Sequence, residues 1–242
     1  MIPRTLQIVT LGLGGLLAAP ALADSIGPGD TEVELELTSL GPNRAVLAYF
    51  DDGSTVYNRV VSAGTLNWTG GLTSFCVQLL EGATVGQTRT FDVVELENVP
   101  EAPPGPGPMG TARATLIRDL FARHYDSLSM ATGSDQNDLN AAFATVVWEI
   151  THQDSDGTTA AEILADLDIS AGNARFSSGS AVTALAIDWL NSLGGGTDDF
   201  LWYNGLIGLS DPTTQDFITI VVPGPAGVFA GLGLFGMRRR RR

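Results

Sequence analysis

One cysteine and two histidines are the side chains of this 242-residue chain that best suit nucleophilic chemistry. Cys76 stands in an apolar stretch typical of a strand, and His152 ends a helical segment two residues before Asp154. A cysteine hydrolase needs a thiol, an imidazole and an orienting carboxylate, but nothing in this spacing favours that triad over a small buried cysteine. Two histidines and one cysteine also argue against zinc. We predict no catalytic residue, no cofactor and no enzymatic activity.

The acidic turn Asp154-Ser155-Asp156-Gly157 has the oxygen-rich side chains that calcium prefers. A calcium loop of the EF-hand type needs glycine at its sixth position and glutamate at its twelfth. Here the glycine is fourth and Ala165 is twelfth. An acidic turn between two helices is therefore the preferred interpretation, and Asp154, Asp156 and Glu162 are the candidate ligands if calcium does bind.

Four tryptophans raise the question of sugar stacking. Trp148 and Trp189 lie on apolar helical stripes, where a core position is the simpler expectation. Trp202 and Tyr203 follow an acidic, glycine-rich loop and are the aromatic residues expected to be exposed. A carbohydrate-binding role would depend on that pair.

The first half of the chain has the alternation of apolar and polar residues that predicts β-strands. Residues 31–38 alternate acidic and apolar side chains, as a strand with one wet face does. Further strands are expected at residues 44–50, 56–61, 72–80 and 89–96. The turn chemistry of Asp51-Asp52-Gly53-Ser54 predicts a hairpin.

Helical spacing replaces alternation after residue 110. Helices are expected at residues 111–128, 138–151 and 181–193, with a shorter one capped by Thr158 or Thr159 and running to residue 167. Residues 200–206 and 216–222 are expected to be closing strands. The fold class predicted is α+β: a β-rich N-terminal half, sandwich or barrel-like, followed by a helical subdomain and closing strands.

Five segments follow from these patterns. Four prolines between residues 103 and 108 exclude regular structure, so 99–110 is expected to be a Pro/Gly surface loop. It separates a β-rich part, 24–98, from a helical part with closing strands, 111–220, of the same ectodomain. Residues 1–23 and 221–242 are set apart as terminal signals.

The N-terminus is typical of a secretory signal peptide. Arg4 supplies a positive charge, residues 8–19 are apolar, and Ala21-Leu22-Ala23 is an A-x-A cleavage site. We expect cleavage between Ala23 and Asp24, and export across the inner membrane. An amphipathic helix that stays attached is the alternative.

Charge narrows the choice of partners. The formal net charge is −14, and residues 24–222 hold seven arginines, no lysine and all 27 acidic residues, a net charge of about −20. Such a surface repels nucleic acid and anionic membranes, so we predict no nucleic-acid partner. A single cysteine cannot form an internal disulfide after export.

The C-terminus has a proline motif, a short apolar stretch at 226–237 and a basic end. Twelve apolar residues are at the short end of the ~20 that span a ~30 Å bilayer core. The positive-inside rule places the basic end in the cytoplasm. That end is Arg238-Arg239-Arg240-Arg241-Arg242.

These three parts resemble the PEP-CTERM sorting signal, in its Val-Pro-x-Pro-Ala variant. The motif here is Val222-Pro223-Gly224-Pro225-Ala226, with Gly224 where glutamate is usual. The resemblance implies an exosortase-type sorting protease as a partner, membrane insertion through the tail, and a bacterium that makes exopolysaccharide. A plain tail anchor or a cleaved lipid-anchor-type signal is the alternative.

Phe75-Cys76, followed about 70 residues later by Trp148-Glu149-Ile150 in a helix, resembles the thioester domain of bacterial surface proteins. The resemblance covers roughly residues 60–222. It implies an internal thioester between the cysteine and a helix glutamine, which acylates amines or hydroxyls on a target.

Ala144 stands at the position of that glutamine. Either Gln153, beyond the helix, replaces it through a register shift, or the chain keeps the fold and has lost the bond. We favour loss. The expected function is a non-catalytic adhesion or structural role at the cell surface or in the extracellular matrix. The alternatives are a reactive adhesin with a Cys76–Gln153 thioester and a carbohydrate-binding module.

Overall fold

The computed structural model of the chain describes residues 26–27, 29–102 and 105–221. The expectations for the signal peptide, with Ala23 and Asp24, and for the sorting tail therefore lie outside the described residues. Within them, the protein is α+β, as predicted, with seven strands and four α-helices.

The strands are β1 (Glu32–Asp51), β2 (Val56–Trp68), β3 (Thr73–Cys76), β4 (Thr88–Glu95), β5 (Ala174–Ser177), β6 (Leu206–Ser210) and β7 (Phe217–Ile220). The helices are α1 (Gly110–Met130), α2 (Gly133–His152), α3 (Ala160–Asp166) and α4 (Ser180–Ser192). Short 3₁₀ turns cover Thr69–Gly71, Leu96–Asn98 and Leu193–Gly196.

The sheet is antiparallel and closes on itself. Its strand order is β2-β3-β7-β6-β4-β1-β5, and β1 also pairs with β2. Six strands therefore form a barrel, and β5 pairs with the far end of β1 outside that ring. Closure removes the open edges of the ring strands where they are paired on both sides; β2 meets β3 only at Thr65, Leu66 and Asn67, and its earlier part extends beyond β3.

β1 merges two of the predicted strands into one long, bent strand. Its register against β2 shifts between Leu40 and Asn43, at Gly41-Pro42, where proline cannot donate to the ladder. Gly64 on β2 faces this bend with φ +151°, and a Cβ there would lie 2.2 Å from the Pro42 carbonyl oxygen. The bend therefore depends on the lack of a side chain at Gly64.

The barrel interior is aromatic. Trp68, Phe91 and Phe217 meet edge to face, with ring centroids 4.9 to 5.7 Å apart. The Trp68 indole donates to Ser74 Oγ at 2.7 Å, so its polar atom is satisfied inside the core. These rings come from β2, β4 and β7, and they hold the distant strands together.

The helix α2 is the centre of the molecule. Every residue from 140 to 152 is buried, and α2 contacts β1, β2, β3 and β5 on one side and α1 and α4 on the other. Phe143 on α2 packs on Phe75 of β3, with ring centroids 4.7 Å apart, and on Phe121 of α1. One continuous core joins the β-rich and helical parts.

Two predictions about elements were incomplete. β5 was not foreseen, and residues 200–205 form a loop where a strand was expected, β6 beginning only at Leu206. Tyr203 in this loop is anchored by its ring on Phe121 and Tyr125, so the apolar content of the segment reflects packing rather than strand pairing. No helix in the described part of the chain is both long and apolar enough to cross a bilayer.

Candidate functional site

Cys76 is the last residue of β3, next to the closing strand. It lies opposite Phe217 of β7 in the ladder. Cys76 is 4 % exposed. Its thiol donates to the backbone oxygen of Gln78 at 2.6 Å, and the backbone N–H of Gln78 donates to the sulfur at 3.3 Å. The thiol is thus enclosed by its own chain two residues ahead.

Burial makes this thiol a poor nucleophile. It raises the pKa of Cys76 to about 12, outweighing the Gln78 backbone N–H and the Trp148 side chain, which lower the pKa; nearby Asp216 raises it and Gln215 lowers it further. Since the thiolate is the nucleophilic form, Cys76 stays protonated and unreactive at neutral pH.

Gln215 is the glutamine that the structure brings to Cys76. Its Nε2 donates to the Gln78 backbone oxygen at 2.8 Å, the same oxygen that accepts from the Cys76 thiol. The sequence analysis did not identify Gln215, because its position beside Cys76 depends on β3–β7 pairing between residues far apart in the chain.

Gln153 lies elsewhere. It follows the last residue of α2, and its Oε1 accepts from the Ala174 N–H of β5 at 3.1 Å. Its side chain lies against Gly172 and lines a cavity of about 280 Å³ beside His152 and Arg113, whereas Cys76 lines a different one. The structure therefore does not place Gln153 beside Cys76, because Gln153 is held at the end of α2 that faces β5.

The cavity beside Cys76 has a volume of about 260 Å³. Apolar side chains from β2 and the segment after β3 line it, together with Tyr57, Glu81, Trp148 and Gln215. Ala144 is completely buried on α2, in the position where the thioester resemblance implies a glutamine.

Glu81 lines this cavity, and three further acidic residues affect its charge. Asp216 is fully buried and accepts from the backbone N–H groups of Glu101 and Asp211. Burial raises the pKa of Asp216 despite those two donors. Burial and the charges of Asp216, Asp211 and Glu101 also raise the pKa of Glu81. The ionised forms of Asp216 and Glu81 are therefore disfavoured.

The Cys76–His152 dyad is not assembled. His152 is 1 % exposed, packs edge to face on Phe50, and lines the cavity that holds Gln153, not the one at Cys76. Burial lowers the pKa of His152 to about 3, so the ring is neutral. Asp154, the imagined orienter, has its backbone N–H bonded to Asn173.

His124 is also occupied: it stacks on Trp189 and its Nε2 lies 2.7 Å from Ser192 Oγ.

Among the buried polar atoms in the last turns of α2, Glu149 Oε2 and His152 Nε2 lack a hydrogen-bond partner within the described residues. Glu149 Oε1 accepts from the Asp168 N–H at 2.8 Å. Burial raises the pKa of Glu149 to about 8, which favours a neutral carboxyl in this position.

Of the three candidate calcium ligands, Asp154, Asp156 and Glu162, it is Glu162 that serves a helix cap. Thr159 and Glu162 form a capping box at the start of α3, as the sequence predicted for Thr159, and Glu162 Oε2 also accepts from the Thr158 N–H at 2.9 Å. Within the described ranges, no three carboxylate, histidine or cysteine side chains are grouped to hold a metal ion.

Of the two aromatic residues expected to be exposed, Trp202 is exposed, whereas Tyr203 is half-buried against Phe121 and Tyr125. Trp202 is 58 % exposed, and its inner face lies over the Arg118 guanidinium, 4.3 Å from the ring centroid. Glu97 holds Arg118 through two hydrogen bonds of 2.7 and 3.2 Å. The loop that carries Trp202 is attached to α1 just before this residue, since the Leu201 N–H donates to Asp119 at 2.7 Å.

A scan against protein-family models and searches of curated proteins and of solved structures found no match to this chain. What the fold defines is therefore a class by architecture: an α+β domain in which a closed antiparallel sheet encloses aromatic side chains and packs on a central buried helix.

Proposed function

We propose that this chain is an exported, envelope-sorted surface or extracellular-matrix protein that acts by non-covalent adhesion or as a structural component. In this proposal it is not an enzyme and forms no thioester. The observation that carries the non-covalent part is the state of Cys76: its thiol is buried, protonated and bonded to the Gln78 carbonyl. Ala144 supplies no amide carbon that the thiol could attack.

The mass of the intact protein tests this part. Closing a thioester joins Cys76 Sγ to the side-chain carbonyl carbon of a glutamine, and the amide nitrogen leaves as ammonia with the thiol proton. We expect the mass of the purified protein to equal that of its sequence, with no change on treatment with methylamine. A mass lower by one ammonia, which methylamine raises to one CH2 group above the mass of the sequence, would contradict the proposal.

A reactive adhesin is the second candidate, and Gln215 is the observation that favours it. The Cys76 thiol and the Gln215 amide meet at one carbonyl, that of Gln78. If the ammonia deficit is found, Gln215→Ala should abolish it. Gln153→Ala is the matched control and should leave the deficit in place, because Gln153 is bonded to Ala174.

A carbohydrate-binding module is the third candidate. Trp202 presents one ring face to solvent, and its other face lies on Arg118, which Glu97 holds in place. A preorganised ring loses little conformational entropy when a sugar stacks on it. Trp202→Ala should abolish retention on neutral polysaccharide, while Trp189→Phe, a change in the core, should not; no retention of the parent chain would reject this candidate.

Sorting is the localisation part of the proposal, and it depends on the tail motif Val222-Pro223-Gly224-Pro225-Ala226 and the five terminal arginines. Replacing Arg238 to Arg242 by serine should release the chain from the envelope fraction into the medium or trap it unprocessed. An unchanged distribution between fractions would argue against sorting by this tail.

A further inference from the structure

β2 has an open edge at the end of the sheet away from the closed ring. It pairs with β1 from Val56 onwards, but with β3 only at Thr65, Leu66 and Asn67. On the side of residues 56–63 that faces away from β1, no strand of the described chain pairs with β2. No loop of the described chain forms a backbone hydrogen bond with these residues either. An open edge of this kind is a template for another strand.

The side chains of this edge suit pairing rather than protection. Val56 and Val60 are 64 % and 69 % exposed. Proteins commonly protect an open edge with proline, a bulge or several charges. Residues 56–63 have no proline and no acidic residue, and Arg59 is their single charge. Because this chain is so acidic, most of its surface would bring carboxylates together when two copies meet. The edge formed by residues 56–63 would not, since it has no acidic residue.

Symmetry restricts how two such edges can pair. Two copies that use the same edge are related by a two-fold axis, and their strands run antiparallel. Residues directly opposite each other share a sheet face, so a residue must face its own equivalent at the axis. The possible centres in the exposed stretch are Tyr57, Asn58, Arg59 and Val60.

Side-chain chemistry selects Asn58. With Asn58 at the axis, Val60 lies opposite Val56 of the second copy, and Arg59 lies opposite its Tyr57. Arg59 already lies over the ring of Tyr57 in its own chain, 5.7 Å from the centroid. A centre at Arg59 would oppose two like charges. A centre at Val60 would place Val56 opposite Gly64, directly beside Thr65, where β3 occupies the edge. A centre at Tyr57 would pair only residues 56–58, because β2 begins at Val56.

This register also extends a row of aliphatic side chains that is already present. Leu47 of β1 is directly opposite Val60 in the ladder and is 44 % exposed. Across the axis, the row becomes Leu47, Val60 and Val56 of the second copy. On the same face, Arg175 of β5 stacks on Tyr49 at 3.9 Å, which keeps its charge beside that ring.

We propose that two copies of this chain pair through the β2 edge, antiparallel and centred on Asn58, to form one sheet that continues across the two-fold axis. The paired stretch is short, and interfaces burying under ~1,200 Å² are typical of weak or transient contacts. The dimer therefore forms at high local concentration. This association goes beyond the proposed adhesive function and requires neither a thioester nor a sugar ligand.

Cysteine cross-linking of the full-length chain tests the register. Facing residues of antiparallel strands have Cα atoms ~4.5–5.5 Å apart, within the ~4.4–6.8 Å that a disulfide spans. Asn58→Cys should therefore give a disulfide-linked dimer under mild oxidation, seen on non-reducing gels. The native Cys76 is buried and does not compete.

Ser62→Cys is the matched control. It is exposed on the same strand, but in the proposed register the two copies of residue 62 lie roughly 27 Å apart. It should not cross-link. Val60→Lys in the Asn58→Cys background should lower the cross-linked fraction about tenfold, because it places an ammonium against valine. Val85→Lys, which is also exposed but lies off this edge, should not.

Equal cross-linking of the Asn58 and Ser62 variants would mean random collision and would overturn the proposal, as would a monomeric Asn58→Cys chain. A cross-link from Asn58→Cys to another protein would assign the edge to a different partner and would also overturn it. Circular dichroism melting of each variant establishes that the fold is retained.

Discussion

At the residue scale, the most consequential contact is the hydrogen bond from the Cys76 thiol to a backbone carbonyl two residues further along the chain. The thiol donates to Gln78 O and is 4 % exposed. Its reactivity is therefore a property of local opening and not of the folded chain, and this gives the first prediction.

A maleimide should label Cys76 only when the chain opens. In buffer at pH 7, labelling should be slow, because reagent access and thiolate formation both require exposure. In denaturant it should be complete within the mixing time. The Ser62→Cys variant supplies an exposed thiol as the control and should take up one label at once. Rapid labelling of Cys76 in the native parent would contradict the buried placement.

The pH dependence of stability depends on two buried groups of α2. The folded-state pKa of Glu149 is raised from 4.5 to about 8, so its contribution is present below pH 4.5 and is lost as pH rises to 8. The folded-state pKa of His152 is lowered from 6.5 to about 3, so its contribution is present above pH 6.5 and is lost as pH falls to 3. Their effects oppose each other between pH 4.5 and 6.5.

We therefore expect the joint contribution of Glu149 and His152 to the free energy of unfolding to be nearly constant between pH 4.5 and 6.5 and to fall as the pH rises from 6.5 to 8. The slope from Glu149 is at most about 1.4 kcal/mol per pH unit. Urea unfolding at several pH values measures it. Glu149→Gln should flatten this fall, and Glu95→Gln, an exposed carboxylate on β4, should not. An equal slope in parent and Glu149→Gln would reject the assignment.

At the element scale, the conformation of short segments depends on local hydrogen bonds and backbone preferences that can be recognised in the sequence. The cap of α3 is one case: Thr159 Oγ1 accepts from the Glu162 N–H at 3.3 Å, and Glu162 returns a bond to the Thr159 N–H at 3.0 Å. Such a box satisfies helix-end donors that have no partner within the helix.

Thr159→Ala should destabilise α3 by about 1 kcal/mol, because the cap acceptor is lost. Faster amide hydrogen exchange in residues 160–166 measures this. Thr115→Ala is a matched control on α1, where the hydroxyl donates to the Thr111 carbonyl one turn back. That change should leave exchange unaltered or slower, since alanine is the better helix former. Unchanged exchange in the Thr159 variant would argue against the cap.

The bend of β1 is the second local device. Gly64→Ala should destabilise the protein by roughly 2 kcal/mol or more, because the new methyl group would overlap the Pro42 carbonyl and the backbone has positive φ. Gly82→Ala has open space and should be nearly neutral. Thermal melts of the two variants compare them. Equal melting temperatures would show that the bend tolerates a side chain.

At the scale of the whole molecule, acidity is the dominant property. Residues 24–222 have a net charge of about −20. The described part of the chain has three salt bridges, at Arg44, Arg118 and Arg123. Self-repulsion on this scale opposes the compact state and is screened by salt.

Added salt should therefore raise the melting temperature at pH 7. Between about 0.01 and 0.3 M NaCl the screening length falls from ~30 Å to below 8 Å, and most of the rise should occur in that range. Near pH 4.3, the isoelectric point of the sequence, the same titration should change little. A melting temperature independent of salt at pH 7 would mean that the charges are too well spread to repel.

The sequence was informative wherever structure is local. Alternation and helical spacing identified the β-rich half and the helices, and the threonine cap was confirmed at Thr159. Two predicted strands proved to be one, because β1 bends at Gly41-Pro42 and resumes its pairing with β2 at Asn43. β5 was missed because four residues carry too little periodicity to be recognised.

What the sequence determined by itself was the α+β class, the acidity, the lone cysteine and the exposed Trp202. What only the tertiary structure decided was which side chains meet. β3 pairs with β7, so Gln215 rather than Gln153 reaches Cys76, and the six-stranded ring leaves one stretch of β2 without a neighbour. The physical reason is that spacing encodes contacts within a helix or hairpin, whereas pairing between distant strands is chosen by the packing of the whole core.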